Sequence, residues 1–335
     1  MTGAEDILVL GHRGLLGRAV VEAAGPGCQV IAGGRAALDL GQMQAAAAPS
    51  AAGGEQETPP AADEAEDILD QVREGLPGLG PAAADLHPSL ELLEALLAAG
   101  GVGLVVNCAG YTDVDRAEAE PELAHAANAQ GAGAVARLCA RFGAHLVHLS
   151  TDYVFDGCNG DRPYREDDPA RPLSAYGRSK LMGEQMVKEA HPGALVVRSA
   201  WLFGPGRDNF VSKVLAVARA GRPLKVVRDQ VGCPTFTSDL APALIALGRR
   251  RVRGLMHLVN QGQASRYELA RQSLALAGLD PEAVQAIATA DLGGAARRPA
   301  WSVLATHRAA RLLGRPLPGW LDALGRYINA EEVAA

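Results

Sequence analysis

Three glycines near the start of the chain constrain its fold more than any other feature. Gly11, Gly14 and Gly17 form the turn GHRGLLG, which separates a short apolar run from a stretch with helical patterning, and a second apolar run follows. This order lets the backbone approach a pyrophosphate at a helix N-terminus, where free amides and the helix dipole favour an anion. A plain strand-to-helix turn is the alternative, but the position inside a β-α-β unit favours dinucleotide binding. The three segments are Ile7 to Leu10, Arg18 to Ala24 and Cys28 to Ala32, and the predicted cofactor contacts of the turn are Gly11, Arg13, Gly14, Leu15, Leu16 and Gly17.

Apolar runs and amphipathic stretches alternate along the rest of the chain. Such alternation builds a parallel sheet covered by helices. The sequence therefore predicts an α/β fold, a Rossmann-type doubly wound parallel sheet with a smaller C-terminal substrate-binding region. We expect an NAD(P)-binding domain over residues 1–200 and mainly the substrate-binding region over residues 201–335, with the cleft shared between them. The later predicted strands are Leu104 to Asn107, His145 to Ser150 and Ala194 to Ala200, and the predicted helices are Leu90 to Ala99, Pro121 to Phe142, Ala175 to Ala190 and Asn209 to Ala220.

The segment 41–84 differs sharply in composition from the rest. It is rich in Ala, Pro, Gly and Glu, with AAAAPSAAGGEQETPPAADEAED at its centre, and it has few apolar side chains to bury. This composition is typical of a low-complexity insertion. The stretch Ile68 to Val72 could form a short helix within it. The sequence assigns no role to this segment.

The composition excludes several classes of protein. With 335 residues and 48% hydrophobic content, the chain can bury a sizeable core. A net charge of -6 and scattered Lys and Arg argue against nucleic-acid binding. The five cysteines show neither a CxxC pair nor ligand spacing, so no disulfide framework and no metal site is predicted. No stretch reaches the ~20 apolar residues of a membrane span and no signal-peptide pattern precedes the first strand, so we expect no membrane partner and a cytoplasmic location.

The end of the second predicted strand bears on the choice of cofactor. NAD-preferring folds usually carry an acidic residue there for the ribose 2′-hydroxyl. This chain has GGR instead, so Arg35, together with Arg13, can meet a 2′-phosphate, and NADPH is favoured over NADH. Two solvated arginines are the alternative. Asp39 and Leu40 are candidate adenine-side contacts, although Asp85-Leu86 beyond the insertion resembles them.

A tyrosine, a lysine and a threonine form a candidate catalytic group. Tyr176 and Lys180 stand four residues apart in AYGRSK, which places both on one face of a helix. A phenol has a pKa near ~10, so it needs a neighbouring cation near neutral pH, and Lys180 would supply it. Thr151, after the strand HLVHL, would hydrogen-bond a substrate carbonyl while Tyr176 donates a proton and a nicotinamide delivers hydride. A surface Tyr-Lys pair and a helix cap are the alternatives, and the combination with the glycine turn favours catalysis.

Six segments of the chain resemble dTDP-4-dehydrorhamnose reductases of the extended short-chain dehydrogenase/reductase superfamily. The resemblance implies that Thr151, Tyr176 and Lys180 form a catalytic triad that reduces the C4 keto group of dTDP-4-dehydro-L-rhamnose to give dTDP-L-rhamnose. It implies NADPH or NADH as hydride donor and a nucleotide sugar as partner, and it leaves Mg²⁺ and a homodimer open. The segments run from Asn107 to Pro121, His148 to Gly157, Tyr176 to Glu184, Val197 to Phe210, Asp229 to Thr235 and Arg297 to Leu304.

The same resemblance implies further contacts. Trp201 could instead pack in the core and Asn209 could cap a helix, and these alternatives stay open. Two features depart from the family: the long insertion after Asp39, and Gly110 in place of an alanine before Tyr111. The implied cofactor contacts are Ala109, Gly110, Tyr111, Tyr176 and Lys180, and the implied substrate contacts are Thr112, Val114, Asp152, Tyr153, Trp201 and Asn209.

Two other readings of the sequence remain. A reductase or epimerase of another nucleotide-linked 4-keto sugar would use the same Thr, Tyr and Lys chemistry, although DQVGCPT and STDYVF favour a reductase. A noncatalytic regulatory subunit similar to the methionine adenosyltransferase beta subunit is the second. The intact Thr151, Tyr176 and Lys180 argue against that second reading.

Overall fold

The structure is a computed structural model that describes residues 6–25, 28–31, 87–160 and 162–334. The predicted insertion, segment 41–84, lies outside the described residues. So do three predicted cofactor contacts, Arg35, Asp39 and Leu40.

The described chain alternates strands and helices in its first part, as the apolar pattern predicts. Its strands are β1 (Asp6–Leu10), β2 (Cys28–Ile31), β3 (Val102–Asn107), β4 (His145–Thr151), β5 (Leu195–Ser199), β6 (Leu202–Phe203), β7 (Leu224–Val227), β8 (Val231–Gly232), β9 (Thr235–Phe236), β10 (Gly254–His257), β11 (Ala264–Ser265) and β12 (Val284–Ile287). Its α-helices are α1 (Leu15–Ala24), α2 (His87–Ala98), α3 (Arg116–Ala119), α4 (Pro121–His125), α5 (Gly131–Arg141), α6 (Ala175–Ala190), α7 (Phe210–Arg219), α8 (Thr237–Arg249), α9 (Arg266–Leu276), α10 (His307–Leu313) and α11 (Trp320–Ala334).

Six strands form one parallel sheet in the order β10-β5-β4-β3-β1-β2. The strand order reverses between β1 and β3, because β2 lies on one side of β1 and the later strands lie on the other. In open α/β sheets, ligands bind at the carboxyl ends of the strands beside such a reversal. We therefore expect a ligand site among the residues that follow β1, β3, β4 and β5.

Alternate side chains of each strand enter two separate apolar layers. In β1, Ile7 and Val9 pack with α1 and α8, whereas Leu8 and Leu10 pack on the opposite face with α2, α5 and α6. Successive strand residues point to opposite faces, so a strand that is apolar throughout must be covered on both. The predicted doubly wound parallel sheet is confirmed.

The long helix predicted from Pro121 to Phe142 is wrong as a single element. It is divided into α4, a π-helical turn over Ala126–Gln130, and α5. The turn carries the buried Asn128, whose side chain bonds to the backbone of Tyr111 and to the Ser179 hydroxyl. π-helical turns inside helices are frequent at functional sites.

The C-terminal part has a core of its own but also returns to the large sheet. Phe203, Phe236 and Tyr327 centre an apolar cluster with side chains of α7, α9 and α11. In contrast, β10 pairs with β5, and α8 covers one face of the large sheet. The division at residue 200 stays a prediction, and β10 and α8 are elements that both parts share.

Candidate active site

The glycine turn follows β1 and packs closely against the residues that follow β3. Gly11 has φ +77°, and a Cβ there would lie 2.6 Å from the Ala109 nitrogen, so only glycine fits. The Gly14 amide donates to the Gly11 carbonyl at 2.9 Å, and a Cβ on Gly17 would collide with that same carbonyl. Helix α1 then begins at Leu15 without a side-chain cap among the described residues, so its first amides are available to an anion.

The three other predicted contacts of the turn differ in exposure. The side chain of Leu16 is buried in the core, so it can offer a ligand only its backbone amide, whereas Leu15 is half-buried. Arg13 is exposed, and its carbonyl accepts a hydrogen bond from Arg207 Nη1 at 3.4 Å. The loop after β6 thus reaches the glycine turn.

A cavity of about 760 Å³ lies beside this turn. Its lining includes three guanidinium groups, from Arg13, Arg18 and Arg207, against one carboxylate, from Glu22, so its balance of charge suits an anionic group such as a cofactor phosphate. Sequence reasoning missed Arg18 and Arg207. A position one turn into α1 could have indicated Arg18, but no local signal places Arg207 there.

The residues after β3 are held in place by the side-chain amides of two buried asparagines. Asn107 Oδ1 accepts from the Ala109 amide at 3.1 Å, and Asn128 Oδ1 accepts from the Tyr111 amide at 2.8 Å. A Cβ on Gly110 would lie 2.7 Å from Asn128 Oδ1 and 3.8 Å from Lys180 Nζ. The close packing here thus favours glycine over the alanine expected from the family at this position. The predicted cofactor contacts on this loop therefore lie next to the candidate catalytic lysine.

The loop continues to the predicted substrate contacts Thr112 and Val114, which are exposed and half-buried, respectively. It is held by an ion pair between Asp115 and Arg298, with a separation of 2.5 Å between Oδ2 and Nη2. The Arg298 hydrogen bond lowers the pKa of Asp115, so this carboxylate stays charged at neutral pH.

Thr151 ends β4 and lies buried at the carboxyl edge of the sheet. Its hydroxyl accepts from the Tyr153 amide at 3.2 Å and donates to Asp152 Oδ1 at 3.1 Å. Burial raises the pKa of Tyr176 well above its ordinary value, and a side-chain hydrogen bond with Thr151 opposes the rise. Thr151 and Tyr176 are therefore adjacent, and the phenol keeps its proton at neutral pH.

Lys180 is buried on the same helix as Tyr176. Its Nζ donates to the Leu149 carbonyl at 2.5 Å. Burial lowers the pKa of Lys180 to about 8, and the Glu184 carboxylate opposes this change. The lowering of the Tyr176 pKa by Lys180, expected from the spacing, stays a prediction.

Asp152 and Tyr153 form a short turn after Thr151. Burial raises the pKa of Asp152 to about 6, and hydrogen bonding to Ser302 and the charge of Arg266 oppose the rise. The ring of Tyr153 meets that of Tyr176 edge to face, with centroids 5.9 Å apart. Both predicted substrate contacts thus lie beside the candidate proton donor.

Two arginines that sequence reasoning missed converge on Tyr153. The phenol of Tyr153 interacts with the guanidinium groups of both Arg266 and Arg298. Burial lowers the pKa of Arg266, whereas for Arg298 the hydrogen bond to Asp115 and the charge of Tyr153 outweigh burial and raise the pKa. Both arginines keep their charge because arginine titrates far above neutral pH. They follow Tyr153 by more than one hundred residues in sequence, so only the tertiary fold shows the pairing.

Trp201 has a strained backbone, with φ +46°, which is uncommon for a bulky residue. The Arg266 guanidinium stacks 3.6 Å from the centroid of its ring. Strain of this kind costs on the order of 1–3 kcal/mol and concentrates at functional sites. Trp201 is half-buried and packs against two apolar clusters, so core packing accounts for part of its position, and the substrate contact at Trp201 stays a prediction.

Asn209 caps α7, which is the structural alternative left open by its sequence. Its Oδ1 accepts from the amides of Val211 and Ser212, and its Nδ2 donates to the Gly204 carbonyl and the Tyr327 hydroxyl. These bonds occupy both ends of the amide. They give no support to the predicted substrate contact at Asn209.

Among the residues that the structure describes, no group of three or more His, Cys, Asp or Glu side chains could hold a metal ion. The donor set for Mg²⁺ is thus not found in this part of the chain. Within the same ranges, no helix has both the length and the apolar character that crossing a bilayer requires.

Comparisons with known proteins point to one family. The family model for the RmlD substrate binding domain matches residues 67–333. A dTDP-4-dehydrorhamnose reductase from Mycolicibacterium smegmatis is 45% identical over 224 residues, which cover 66% of this chain and 68% of that protein. A probable dTDP-4,6-dihydroxy-2-methyloxan-3-one 4-ketoreductase from Streptomyces antibioticus is 43% identical over 234 residues, 69% of this chain and 79% of that protein.

A solved structure shares this fold. The dTDP-4-dehydrorhamnose reductase from Bacillus anthracis, in complex with NADP, superposes with a TM-score of 0.75 at 29% identity and covers 97% of this chain and 99% of that one. With the matching family model, the resemblance seen in the sequence is confirmed, and this chain belongs to the dTDP-4-dehydrorhamnose reductase family.

Proposed function

We propose that this protein reduces the C4 keto group of dTDP-4-dehydro-L-rhamnose to give dTDP-L-rhamnose, with NADPH as the hydride donor. The observation that carries the proposal is the group formed by Thr151, Tyr176 and Lys180 at the carboxyl edge of the sheet, on the same side as the glycine turn. Relatives named for this reaction and a relative bound to NADP support it.

The raised pKa of Tyr176 suits a reductase, because a group that donates a proton must hold it at working pH. When bound, the cofactor supplies a hydride to the carbonyl carbon. The Tyr176 phenol donates its proton to the carbonyl oxygen, and the Thr151 hydroxyl orients that oxygen by a hydrogen bond. The Lys180 ammonium stabilises the phenolate that remains.

Charge around the site fits a nucleotide sugar. Arg266 and Arg298 place two guanidinium groups beside Tyr153. Guanidinium groups bind phosphates well, so this pair could hold the diphosphate of a nucleotide sugar. Asp152 and Trp201 lie at the same end of β4 and β5 and offer a carboxyl group and an aromatic ring, which are kinds of group that bind sugars.

A panel of 4-keto nucleotide sugars tests the function. Oxidation of NADPH at 340 nm with each sugar, followed by NMR of the product, should show the highest kcat/KM with dTDP-4-dehydro-L-rhamnose. Stable NADPH absorbance with every sugar, in protein that binds NADPH, would favour the noncatalytic subunit instead. A higher kcat/KM with another sugar would favour the second candidate, a reductase of a different 4-keto sugar, which the Streptomyces antibioticus relative supports.

The pKa of Lys180 predicts how turnover depends on pH. Turnover needs the charged ammonium, and burial makes the folded protein lose this proton near pH 8. We therefore expect kcat to be level below about pH 8 and to fall above it. Between about pH 8 and the ordinary lysine pKa, the unfolded chain keeps this proton while the folded protein has lost it. The free energy of unfolding therefore increases as the pH rises through this range. Thermal melts across the same range should show that the lost turnover is not unfolding.

Arg35 determines the cofactor preference in this proposal. Arg35→Ala should weaken NADPH binding by about 1.5 to 3 kcal/mol, because a charge-assisted bond to the 2′-phosphate is lost. NADH lacks this phosphate and serves as the internal control. Dissociation constants for both cofactors, measured by fluorescence titration, would contradict the proposal if their ratio stayed at the wild-type value.

Mg²⁺ dependence, a homodimer and a cytoplasmic location stay predictions. Activity after treatment with a chelator tests the first, and light scattering of the purified protein tests the second.

A further inference from the structure

A buried ion pair lies one helical turn beyond Lys180 on α6. Arg198 of β5 donates to Glu184 through two parallel bonds, Nε to Oε1 at 2.8 Å and Nη2 to Oε2 at 2.6 Å. The two side chains are only 4% and 8% exposed. Burying two charges carries a desolvation cost that can exceed their attraction, so stability alone does not explain such a pair.

Glu184 has a third partner on β4. The Ser150 hydroxyl donates to Glu184 Oε1 at 2.5 Å. Ser150 directly precedes Thr151, while Lys180 precedes Glu184 by one turn of α6. One carboxylate thus connects the helix that carries Tyr176 and Lys180 with the strand that carries Thr151.

Glu184 lies one helical turn from Lys180 and is the carboxylate whose charge acts on the Lys180 ammonium among the described residues. The other groups around Lys180 come from three strands. Burial raises the pKa of the Cys108 thiol, after β3, to about 12, and lowers the pKa of His148 on β4 well below its ordinary value, so both are neutral at pH 7. The charge of Arg198 on β5 is paired with Glu184. The Glu184 carboxylate therefore favours the charged form of Lys180.

We propose that Glu184 is a positioning residue for the reduction, which holds Lys180 and the Thr151 end of β4 in the arrangement that lets Tyr176 donate its proton. This inference rests on the proposed function and assigns a role in it to a residue that does not touch the substrate.

Glu184→Gln tests the proposal, because glutamine keeps the shape and removes the charge. We expect kcat to fall at least about tenfold, with little change in the KM values. This loss is smaller than the full contribution of a proton donor, because Tyr176 itself remains. The alkaline limb of the pH profile should move to lower pH by about one unit, since an opposite charge near Lys180 is lost. Glu184→Asp keeps the charge and should restore most of the limb.

A second measurement needs no substrate. The rate at which Lys180 reacts with an amine reagent, followed by mass spectrometry against pH, reports its pKa directly. In Glu184→Gln this titration should move to lower pH by the same amount. If the wild type reduced no 4-keto sugar but the titration moved, the proposed function would fail while the link between Glu184 and Lys180 stood.

Asp239→Asn is the matched control, because Asp239 pairs with Arg326 at 2.7 Å in another part of the fold. It should lose stability without moving the pH limb. A Glu184→Gln variant whose limb and Lys180 titration both match the wild type would overturn the proposal. If that variant does not fold, Ser150→Ala, which removes the bond between Glu184 and β4, takes its place: a several-fold loss of kcat with little change in the KM values supports the proposal, and a wild-type kcat overturns it.

Discussion

Tyr176→Phe should lower kcat by about 10²- to 10⁴-fold, the range that a positioned proton donor contributes. The ring still packs against Tyr153, so the fold should be unchanged, but no proton can pass to the carbonyl oxygen. Stopped-flow kinetics at saturating NADPH and sugar would measure the loss, and fluorescence titration should show NADPH binding near the wild-type value. Turnover within a few-fold of the wild type would assign the proton donor to another residue. Tyr164→Phe is a suitable control, because that phenol bonds to Asp156 outside the group around Thr151.

Lys180→Met should have the second largest effect, about 10²-fold or more on kcat, together with weaker NADPH binding. Methionine fills a similar volume without the ammonium. Because burial already disfavours the charged form of Lys180, removing the charge should leave the melting temperature unchanged or raise it. Lost activity with an intact or higher melting temperature separates this effect from unfolding. If kcat fell only slightly and the alkaline limb persisted, another group would titrate near pH 8.

The sheet could be predicted because its information is local. Each strand of the first part contains a short apolar run; the run of β1 precedes the glycine turn and that of β4 precedes Ser150 and Thr151, and the topology brings both to one edge. The same locality explains the prediction of Thr151, Tyr176 and Lys180. Two of them share one helix, and the third ends the neighbouring strand.

The remainder depends on contacts that sequence spacing does not encode. Arg266 and Arg298 reach Tyr153 from the C-terminal part, and Arg207 reaches the glycine turn from the loop after β6. The division of the predicted helix Pro121 to Phe142 follows from the bonds that Asn128 makes to a distant loop. Helical propensity alone contains no sign of those bonds.

Strand β10 has a consequence for how the protein is made. It pairs with β5 but leaves the ribosome much later, after α7 and α8. Until then the outer backbone groups of β5 form an open edge, and the face later covered by Leu240, Leu244 and Leu247 of α8 exposes apolar side chains. Open edges invite pairing with other chains, and pairing across long sequence separations slows folding. A nascent chain that ends near residue 200 should therefore hold every predicted catalytic side chain and still need chaperone protection, because its sheet cannot be completed before His257 is synthesised.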